Sequence, residues 1–359
     1  MLREAERLLR AGVAGHVFPG ATCCIARRDR GRWSYHTVAA GSLGAGLGKV
    51  APDTPYDLAS ITKAFVATTA LRMVEAGLVA PDLTVGAALS DVRGEPGEAA
   101  TLEQLLSHRS GLAAWGGLYL DVPHEPGSPA ARRWVLNEAA RREGRGVGQC
   151  EYSDLGYILA GEIIGRAGRG LPQALAEHVT GALGIRDRVV YAAALSPDAR
   201  EALARRAAPT ERCEWRGRLL RGEVHDENCA ALGGVSGHAG LFGDAAAVAR
   251  FGVEMLDARA GRSEFLSAAT IEGALADRGG GSYRLGWDVK SGPDSAAGRR
   301  ASERTFGHLG FTGTSLWCDP EREVVVALLT NRVHPSRANQ KIRAFRPAFH
   351  DGVLAACGF

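Results

Sequence analysis

Residues 57–65 read Asp57-Leu58-Ala59-Ser60-Ile61-Thr62-Lys63-Ala64-Phe65. An apolar run at helical spacing follows, so we expect a helix that begins near Ser60 and ends at Gly77. Residues three apart share one face of a helix, which lets the Ser60 hydroxyl meet the Lys63 ammonium. A serine hydroxyl is a poor nucleophile without a base beside it, and a lysine whose charged form is disfavoured can be that base. The pattern therefore predicts a nucleophilic serine next to a lysine.

The use of lysine in this chain favours the same interpretation. The only lysines are Lys49, Lys63, Lys290 and Lys341, and every other side chain of permanent positive charge is arginine. Arginine does not lose its proton at usable pH, so a base has to stay lysine where a mere positive charge does not. The alternative is an ordinary solvated lysine on an amphipathic helix.

Composition places the chain among globular proteins. Its 359 residues allow two packed units, or one large domain with an insertion. A net charge of +3 is too small to suggest nucleic-acid binding. The seven cysteines show no CxxC and no Cys/His metal spacing, and no signal peptide or membrane-spanning run is apparent. We therefore expect a cytoplasmic protein with reduced thiols and no affinity for membranes.

Strand and helix patterns occupy different parts of the chain. Strands are predicted over Gly20–Ala26, Trp33–Ala40, Tyr283–Val289, Thr314–Cys318 and Glu323–Asn331. Helices are predicted over Leu2–Ala11, Leu102–Ser107, Ala130–Arg142, Leu155–Ala167, Leu171–Leu183, Asp244–Leu256 and Arg337–Ala356. We expect an α/β (α+β) domain formed by residues 1–79 and 282–359, a mostly helical inserted domain over 80–281, and an active site between them.

A second motif precedes one of the predicted helices. Residues 151–157 read Glu151-Tyr152-Ser153-Asp154-Leu155-Gly156-Tyr157. Ser153 or Asp154 would cap the helix. Tyr152 is then either a packing aromatic residue or a phenol whose proton moves during catalysis.

A third motif leads into a predicted strand. It reads Gly307-His308-Leu309-Gly310-Phe311-Thr312-Gly313-Thr314. Glycines weaken a strand and usually mark a place where a ligand or another backbone comes close. Such an edge can offer N–H groups to an oxyanion. The alternative is a bulged strand in which His308 is hydrogen-bonded and structural.

Three motifs occur in the order and rough spacing of the penicillin-recognising serine hydrolases: Ser60-x-x-Lys63, Tyr152-Ser153-Asp154 and His308-Leu309-Gly310. The chain resembles the branch that holds class C β-lactamases, D-amino-acid peptidases and esterases. Residues 101–112 are similar to that branch's Leu-Leu-x-His-x-Ser-Gly-Leu segment, and residues 233–245 to its Gly-Gly-Leu-x-Ser-x-x-x-Asp-Leu region. The resemblance implies a β-lactamase/transpeptidase-like fold, in which helices flank an antiparallel sheet.

The resemblance also implies roles for individual residues. Ser60 would be acylated, Lys63 would take its proton, and Tyr152 would pass a proton to the leaving group and then activate water. Which of Lys63 and Tyr152 is the general base stays open, because close titrating groups share protons. The backbone N–H groups of Ser60 and Phe311 would form the oxyanion hole. No cofactor is implied.

Two positions depart from the family pattern. Asp154 stands where asparagine is usual, and it would repel a substrate carboxylate unless it is protonated or paired with Lys63. His308 stands where lysine is usual, and it is a weaker anion anchor because it is neutral over much of the physiological range. With Gly310 and Phe311 beside it, this His-x-Gly form favours an esterase or related hydrolase over an enzyme that turns over penicillin.

A polar cluster, His225-Asp226-Glu227-Asn228, with His238 near it, either lines the substrate pocket or stabilises a loop. A metal site there is disfavoured, because the spacing matches no standard ligand pattern and a Ser–Lys–Tyr site needs no metal. This stretch resembles a subgroup that acts on the amide between N-acetylmuramic acid and its peptide.

The sequence thus predicts a serine hydrolase that cleaves a small ester or amide through an acyl-enzyme on Ser60. The alternatives are a cytoplasmic muramyl-peptide amidase, a class C-type β-lactamase or D-aminopeptidase, and an acyltransferase. A non-catalytic binding protein is disfavoured, because Ser60, Lys63 and Tyr152 are all present. The oligomeric state stays open.

Overall fold

The computed structural model describes residues 1–359, and its longest strands lie near the two ends of the chain. In chain order the strands are β1 (Gly20–Asp29), β2 (Arg32–Gly41), β3 (Tyr56–Asp57), β4 (Ser110–Leu112), β5 (Glu143–Val147), β6 (Val189–Tyr191), β7 (Arg212–Cys213), β8 (Arg218–Leu219), β9 (Leu241–Gly243), β10 (Asp288–Val289), β11 (Phe306–Leu309), β12 (Ser315–Asp319) and β13 (Val324–Thr330). Six of them form an antiparallel sheet in the order β10-β11-β12-β13-β1-β2. Within it β1 pairs with β13 and aligns Ala21 with Thr330, so strands from the two ends of the chain are neighbours inside the sheet.

Helices supply most of the remaining regular structure. They are α1 (Leu2–Ala14), α2 (Ile61–Glu75), α3 (Val85–Ala88), α4 (Leu102–Leu106), α5 (Leu118–Asp121), α6 (Pro129–Arg141), α7 (Asp154–Ala167), α8 (Leu171–Leu175), α9 (Pro197–Arg206), α10 (Glu227–Ala231), α11 (Ala245–Arg259), α12 (Ala268–Leu275) and α13 (Ile342–Ala356). Between β2 and β10 the chain is mostly helical, as the sequence pattern predicts. The exact boundaries 1–79, 80–281 and 282–359 stay a prediction.

The large sheet separates two hydrophobic cores. Successive side chains of a strand point to opposite faces, so Cys23 and Ile25 of β1 pack in one core while Cys24 and Ala26 pack in the other. The smaller core is closed by α1 and α13, and the larger one by α2 and α11. The sheet is therefore flanked by helices on both faces, which confirms the predicted fold class.

Three predicted elements are clearly shorter in the structure than expected. The helix predicted over Leu171–Leu183 is α-helical only as far as Leu175 and continues as a π-helix over Ala176–Thr180. The final helix begins at Ile342 instead of Arg337, because Asn339 turns away to donate hydrogen bonds to the backbone carbonyls of His16 and Val17. The strand predicted over Tyr283–Val289 is reduced to β10. Gly286 interrupts it at a φ of 81°, where a Cβ would collide with the side chain of Ala67.

No helix in the structure has both the length and the apolar character that a membrane crossing requires.

Candidate active site

Ser60 and Lys63 are in contact at the start of α2. Ser60 is the N-cap residue, and the Lys63 ammonium donates a hydrogen bond of 2.9 Å to Ser60 Oγ. Ala59, just before the serine, has a φ of +47°, a left-handed conformation that costs free energy in a residue other than glycine. Such strain occurs mainly at functional sites, where the surrounding structure holds it in place.

Asp154 is the counter-ion of Lys63. The lysine side chain is fully buried, and its Nζ lies 2.6 Å from Asp154 Oδ1 and 3.3 Å from the carbonyl oxygen of His238. The contact with Asp154 lacks hydrogen-bond alignment, so it is an ion pair and Oδ1 receives no hydrogen bond. A buried ammonium is costly without an opposite charge. Three possibilities are predicted for Asp154: repulsion of a substrate carboxylate, protonation, or pairing with Lys63. The structure shows the pairing.

The ring of Tyr152 packs against the Lys63 ammonium. Its ring centroid is 4.8 Å from Lys63 Nζ. Burial raises the pKa of the Tyr152 phenol well above its usual value, and the Asp154 carboxylate raises it further, while the contact with Ser60 acts in the opposite direction. The phenol is therefore protonated in the resting protein and can act as a proton donor.

His108 fixes the segment that carries Tyr152. Its Nδ1 accepts a hydrogen bond of 2.9 Å from the backbone N–H of Ser153, and its carbonyl accepts one of 2.9 Å from Glu151. Its ring packs on that of Tyr152 at a centroid distance of 4.6 Å. His108 is not among the site residues predicted from the sequence.

The loop after β11 lies against the residues that precede Ser60. Thr312 Oγ1 donates to the carbonyl of Asp57 at 2.8 Å, and Thr314 Oγ1 donates to that of Leu58 at 3.1 Å. Gly310 permits this approach, because a Cβ there would lie 2.6 Å from the Leu58 carbonyl oxygen and closer still to Thr314 Oγ1. The glycine therefore marks a close backbone contact, as predicted.

Two backbone amides near the serine are free. Neither the N–H of Ser60 nor that of Phe311 donates to an acceptor within the protein. Free N–H groups on two neighbouring segments are what an oxyanion hole needs. They remain candidates for that role.

His308 is buried behind the site. Its Nδ1–H donates to the Leu309 carbonyl at 2.8 Å, and its Nε2 has no partner. Burial, together with the charge of Lys63, lowers its pKa to about 3, so the imidazole is neutral. The neighbouring Leu309 lines the cavity at Ser60, whereas His308 does not, so the structure separates His308 from the surface that a substrate reaches.

His225 and His238 each bond to a carboxylate. His225 Nε2 lies 2.8 Å from Glu211 Oε2, and His238 Nε2 lies 2.7 Å from Asp226 Oδ1. Burial alone would raise the pKa of Asp226, but its interaction with His238 keeps that pKa below the usual value. No group of three or more His, Cys, Asp or Glu side chains is arranged to hold a metal ion.

A cavity of about 590 Å³ opens at Ser60. Its lining includes Ser60, Tyr152, Asp154, His225, His238, Gly310 and Phe311. A larger cavity of about 930 Å³, between α9 and residues 215–224, contains none of the predicted site residues. The smaller cavity is therefore the candidate active site.

Arginines form one wall of this cavity, and none of them belongs to the three sequence motifs. They are Arg332, Arg337, Arg343 and Arg346. Arg337 pairs with the carboxylates of Glu211 and Glu227, but the other three have no carboxylate partner. The available signal was residues 332–350, which hold five lysines and arginines and no acidic residue.

Comparisons with known proteins agree on one family. The family model described as Beta-lactamase matches residues 5–348. An N-acetylmuramyl-L-alanine amidase of Bacillus subtilis (strain 168) is 28% identical over 375 residues, which cover 93% of this chain and 81% of that protein. Two solved structures share the fold at 21% identity: EstCE1, a hydrolase with promiscuous acyltransferase activity (TM-score 0.76, 98% of both chains), and a penicillin-binding protein homologue from Caulobacter crescentus (TM-score 0.71, 97% of this chain and 96% of that one).

Proposed function

The chain belongs to the beta-lactamase family and is a serine hydrolase, and on this premise we propose that it cleaves a small ester or amide through an acyl-enzyme on Ser60. The observation that carries the proposal is the 2.9 Å contact between Ser60 Oγ and the buried Lys63 ammonium. A base within hydrogen-bond reach is what makes a serine nucleophilic.

Lys63 has to be neutral before it can accept the serine proton, and Asp154 makes this possible. Moving one proton from the ammonium to the carboxylate 2.6 Å away converts a buried ion pair into a buried neutral pair. No net charge is created, so the low local dielectric does not oppose the step. The neutral amine then takes the proton from Ser60 Oγ as that oxygen bonds to the substrate carbonyl carbon.

The remaining steps use the phenol and the free amides. The negative charge on the former carbonyl oxygen would be held by the N–H groups of Ser60 and Phe311. As the bond to the leaving group breaks, Tyr152 donates its proton to that group. The resulting phenolate takes a proton from water, whose oxygen attacks the acyl carbon. As its bond to the acyl group breaks, the Ser60 oxygen takes its proton back from Lys63, and Asp154 returns its proton to Lys63.

Active-site labelling tests the proposal. A fluorophosphonate probe should add one adduct per chain, seen as an intact-mass shift, and Ser60→Ala should abolish both the adduct and the hydrolysis of p-nitrophenyl acetate. Ser34→Ala is a matched control, because its side chain lies on the exposed strand β2. An adduct that persists in Ser60→Ala would refute the assignment.

A second candidate is cleavage of the amide of a muramyl peptide, and the arginine wall favours it. Arg343 lines the cavity without a carboxylate partner or a side-chain hydrogen bond to the protein, whereas Arg332 and Arg346 donate to backbone carbonyls. A substrate carboxylate would supply the missing opposite charge, and peptides linked to muramic acid carry carboxylates. The relative from Bacillus subtilis is described as an amidase of this substrate class.

The test compares N-acetylmuramyl-L-alanine with its neutral C-terminal amide. The carboxylate form should be cleaved faster, and Arg343→Gln should raise its KM while sparing p-nitrophenyl acetate. His225→Ala should likewise lose the muramyl substrate and spare the small ester. Equal losses on both substrates, or no cleavage of either muramyl compound by the wild type, would remove this candidate.

A further inference from the structure

Arg346 binds the peptide unit whose N–H belongs to Phe311. Its Nη2 donates a hydrogen bond of 2.6 Å to the carbonyl oxygen of Gly310 and one of 2.7 Å to the carbonyl oxygen of Thr314. Gly310 C=O and Phe311 N–H are opposite ends of one planar amide, so fixing the carbonyl also fixes the direction of the N–H. That N–H has no acceptor within the protein.

The next peptide unit is held in the same way. Arg332 donates to the carbonyl oxygen of Phe311 through Nε at 2.9 Å and through Nη2 at 2.6 Å. Its guanidinium also lies over the Phe311 ring, 4.6 Å from the centroid. Guanidinium groups therefore hold both carbonyls that flank the Phe311 amide, although the Phe311 side chain itself is 49% exposed.

The charge of Arg346 is costly where it lies. The side chain is buried, has no carboxylate partner, and leaves its Nε without any partner. Burial, with a smaller effect of the nearby Arg332, lowers its pKa to about 9. A neutral side chain would fill this space without that cost, so the charge calls for an explanation beyond packing.

We propose that Arg346 is a positioning residue that orients and polarises the Gly310–Phe311 amide for a developing oxyanion. A charge-assisted hydrogen bond to the carbonyl withdraws electron density from the amide and makes its N–H a stronger donor. The guanidinium also supplies positive charge behind the oxyanion hole, on a strand where His308 is neutral. The inference rests on the proposed acyl-enzyme at Ser60.

Arg346→Met tests it, since methionine keeps much of the length and removes the donors. We expect kcat for p-nitrophenyl acetate to fall by about 10²-fold, as on losing one oxyanion donor, with KM changed less than about twofold. The affinity for a phenylboronic acid, which places an oxygen in the same hole, should fall in parallel. Arg346→Lys, which keeps a positive charge on a shorter side chain, should lie between the wild type and Arg346→Met.

Arg72→Met is the matched control for lost stability. Arg72 also donates to backbone carbonyls, those of His178 and Phe265, but it lies near the far end of α2. It should lower Tm without changing kcat or boronate affinity. The same response in Arg72→Met and Arg346→Met would overturn the positioning role, as would an unchanged kcat in Arg346→Met.

Fluorophosphonate labelling separates the two levels of failure. Wild type that labels at Ser60, together with Arg346 variants of normal kcat and boronate affinity, overturns only the role of Arg346. Wild type that does not label overturns the acyl-enzyme and this inference together. If Arg346→Met does not fold, Arg346→Gln takes its place, because it also removes the positive charge, and wild-type kcat with wild-type boronate affinity in that variant overturns the role of Arg346.

Discussion

The groups on the two sides of Ser60 differ in kind: side chains on one side, a backbone amide on the other. On one side lie Lys63, Tyr152 and Asp154, titrating side chains in contact with each other. On the other side lies the amide of Phe311, a backbone group that does not titrate and whose neighbouring carbonyls are held by two arginines. A site made of side chains can be recognised as a motif in the sequence. A site made of a backbone amide is marked in the sequence only by Gly310 and by arginines that belong to no motif. The first side is therefore the easier one to predict.

The largest effect is expected on the proton side. Lys63→Arg keeps the charge but cannot accept a proton, so acylation of Ser60 should fall by about 10³- to 10⁴-fold. The burst of p-nitrophenol from p-nitrophenyl acetate measures this step. Lys341→Arg, at an exposed lysine, is the control, and Lys63→Met separates loss of the base from crowding by arginine. Activity near that of wild type in Lys63→Arg would refute the base role.

Gly310→Ala should disturb the side of the site that holds the Phe311 amide. In Gly310→Ala the new methyl group collides with the Leu58 carbonyl and Thr314, which pushes the loop away from Ser60. We expect kcat to fall by about 10²- to 10³-fold, in the range for a lost oxyanion donor. Gly273→Ala is the control, because nothing lies within 4 Å of a Cβ at that helical position. If kcat is retained in Gly310→Ala, the close contact has no catalytic role.

Asp154→Asn sharpens the comparison, because it introduces the asparagine usual in the family and removes the proton acceptor of Lys63. We expect acylation to fall by about 10²-fold, since the buried ammonium can no longer lose its proton to a carboxylate. Single-turnover kinetics with p-nitrophenyl acetate measure it. Asp53→Asn, at an exposed ion pair with Arg206, is the control. Faster acylation in Asp154→Asn would exclude the proton-sharing step.

The smallest effect concerns stability. His308 has a folded pKa of about 3, below the value near 6.5 of an unfolded histidine. Between these values the unfolded chain binds the extra proton, so stability is full above pH 6.5 and is lost as the pH falls toward 3. His308→Gln should reduce this loss by about 1.4 kcal/mol per pH unit within that window. Urea unfolding at pH 4, 5 and 6 measures the slope, with His16→Gln as an exposed control.

How far sequence reasoning reached depends on distance along the chain. The contact between Ser60 and Lys63 follows from helical spacing, and the helix forms as predicted. The pairing of Asp154 with Lys63 joins separate elements, so the sequence could name it only as one of three alternatives. The contact of Arg346 with Gly310 joins residues 36 positions apart and belongs to no motif, so it was missed.

His308 illustrates a second limit. The motif located it correctly on a strand, but which face of a strand a residue occupies changes with every position. The structure turns His308 into the interior and leaves Leu309 at the cavity. A pattern of residue types cannot determine that orientation without the pairing register of β11 with β12.

The pairing of β1 with β13 has a consequence for biosynthesis. Gly20 N donates to Asn331 Oδ1, a contact between residues 311 positions apart, and β13 lies between β12 and β1. Such distant pairing forms late, because most of the polypeptide must exist before its partners can meet. A nascent chain that has left the ribosome as far as α12 already carries Ser60 and Lys63, yet it lacks Phe311 and the middle of its sheet. A nascent chain would thus lack the proposed hydrolase activity until residues 306–330 have been made.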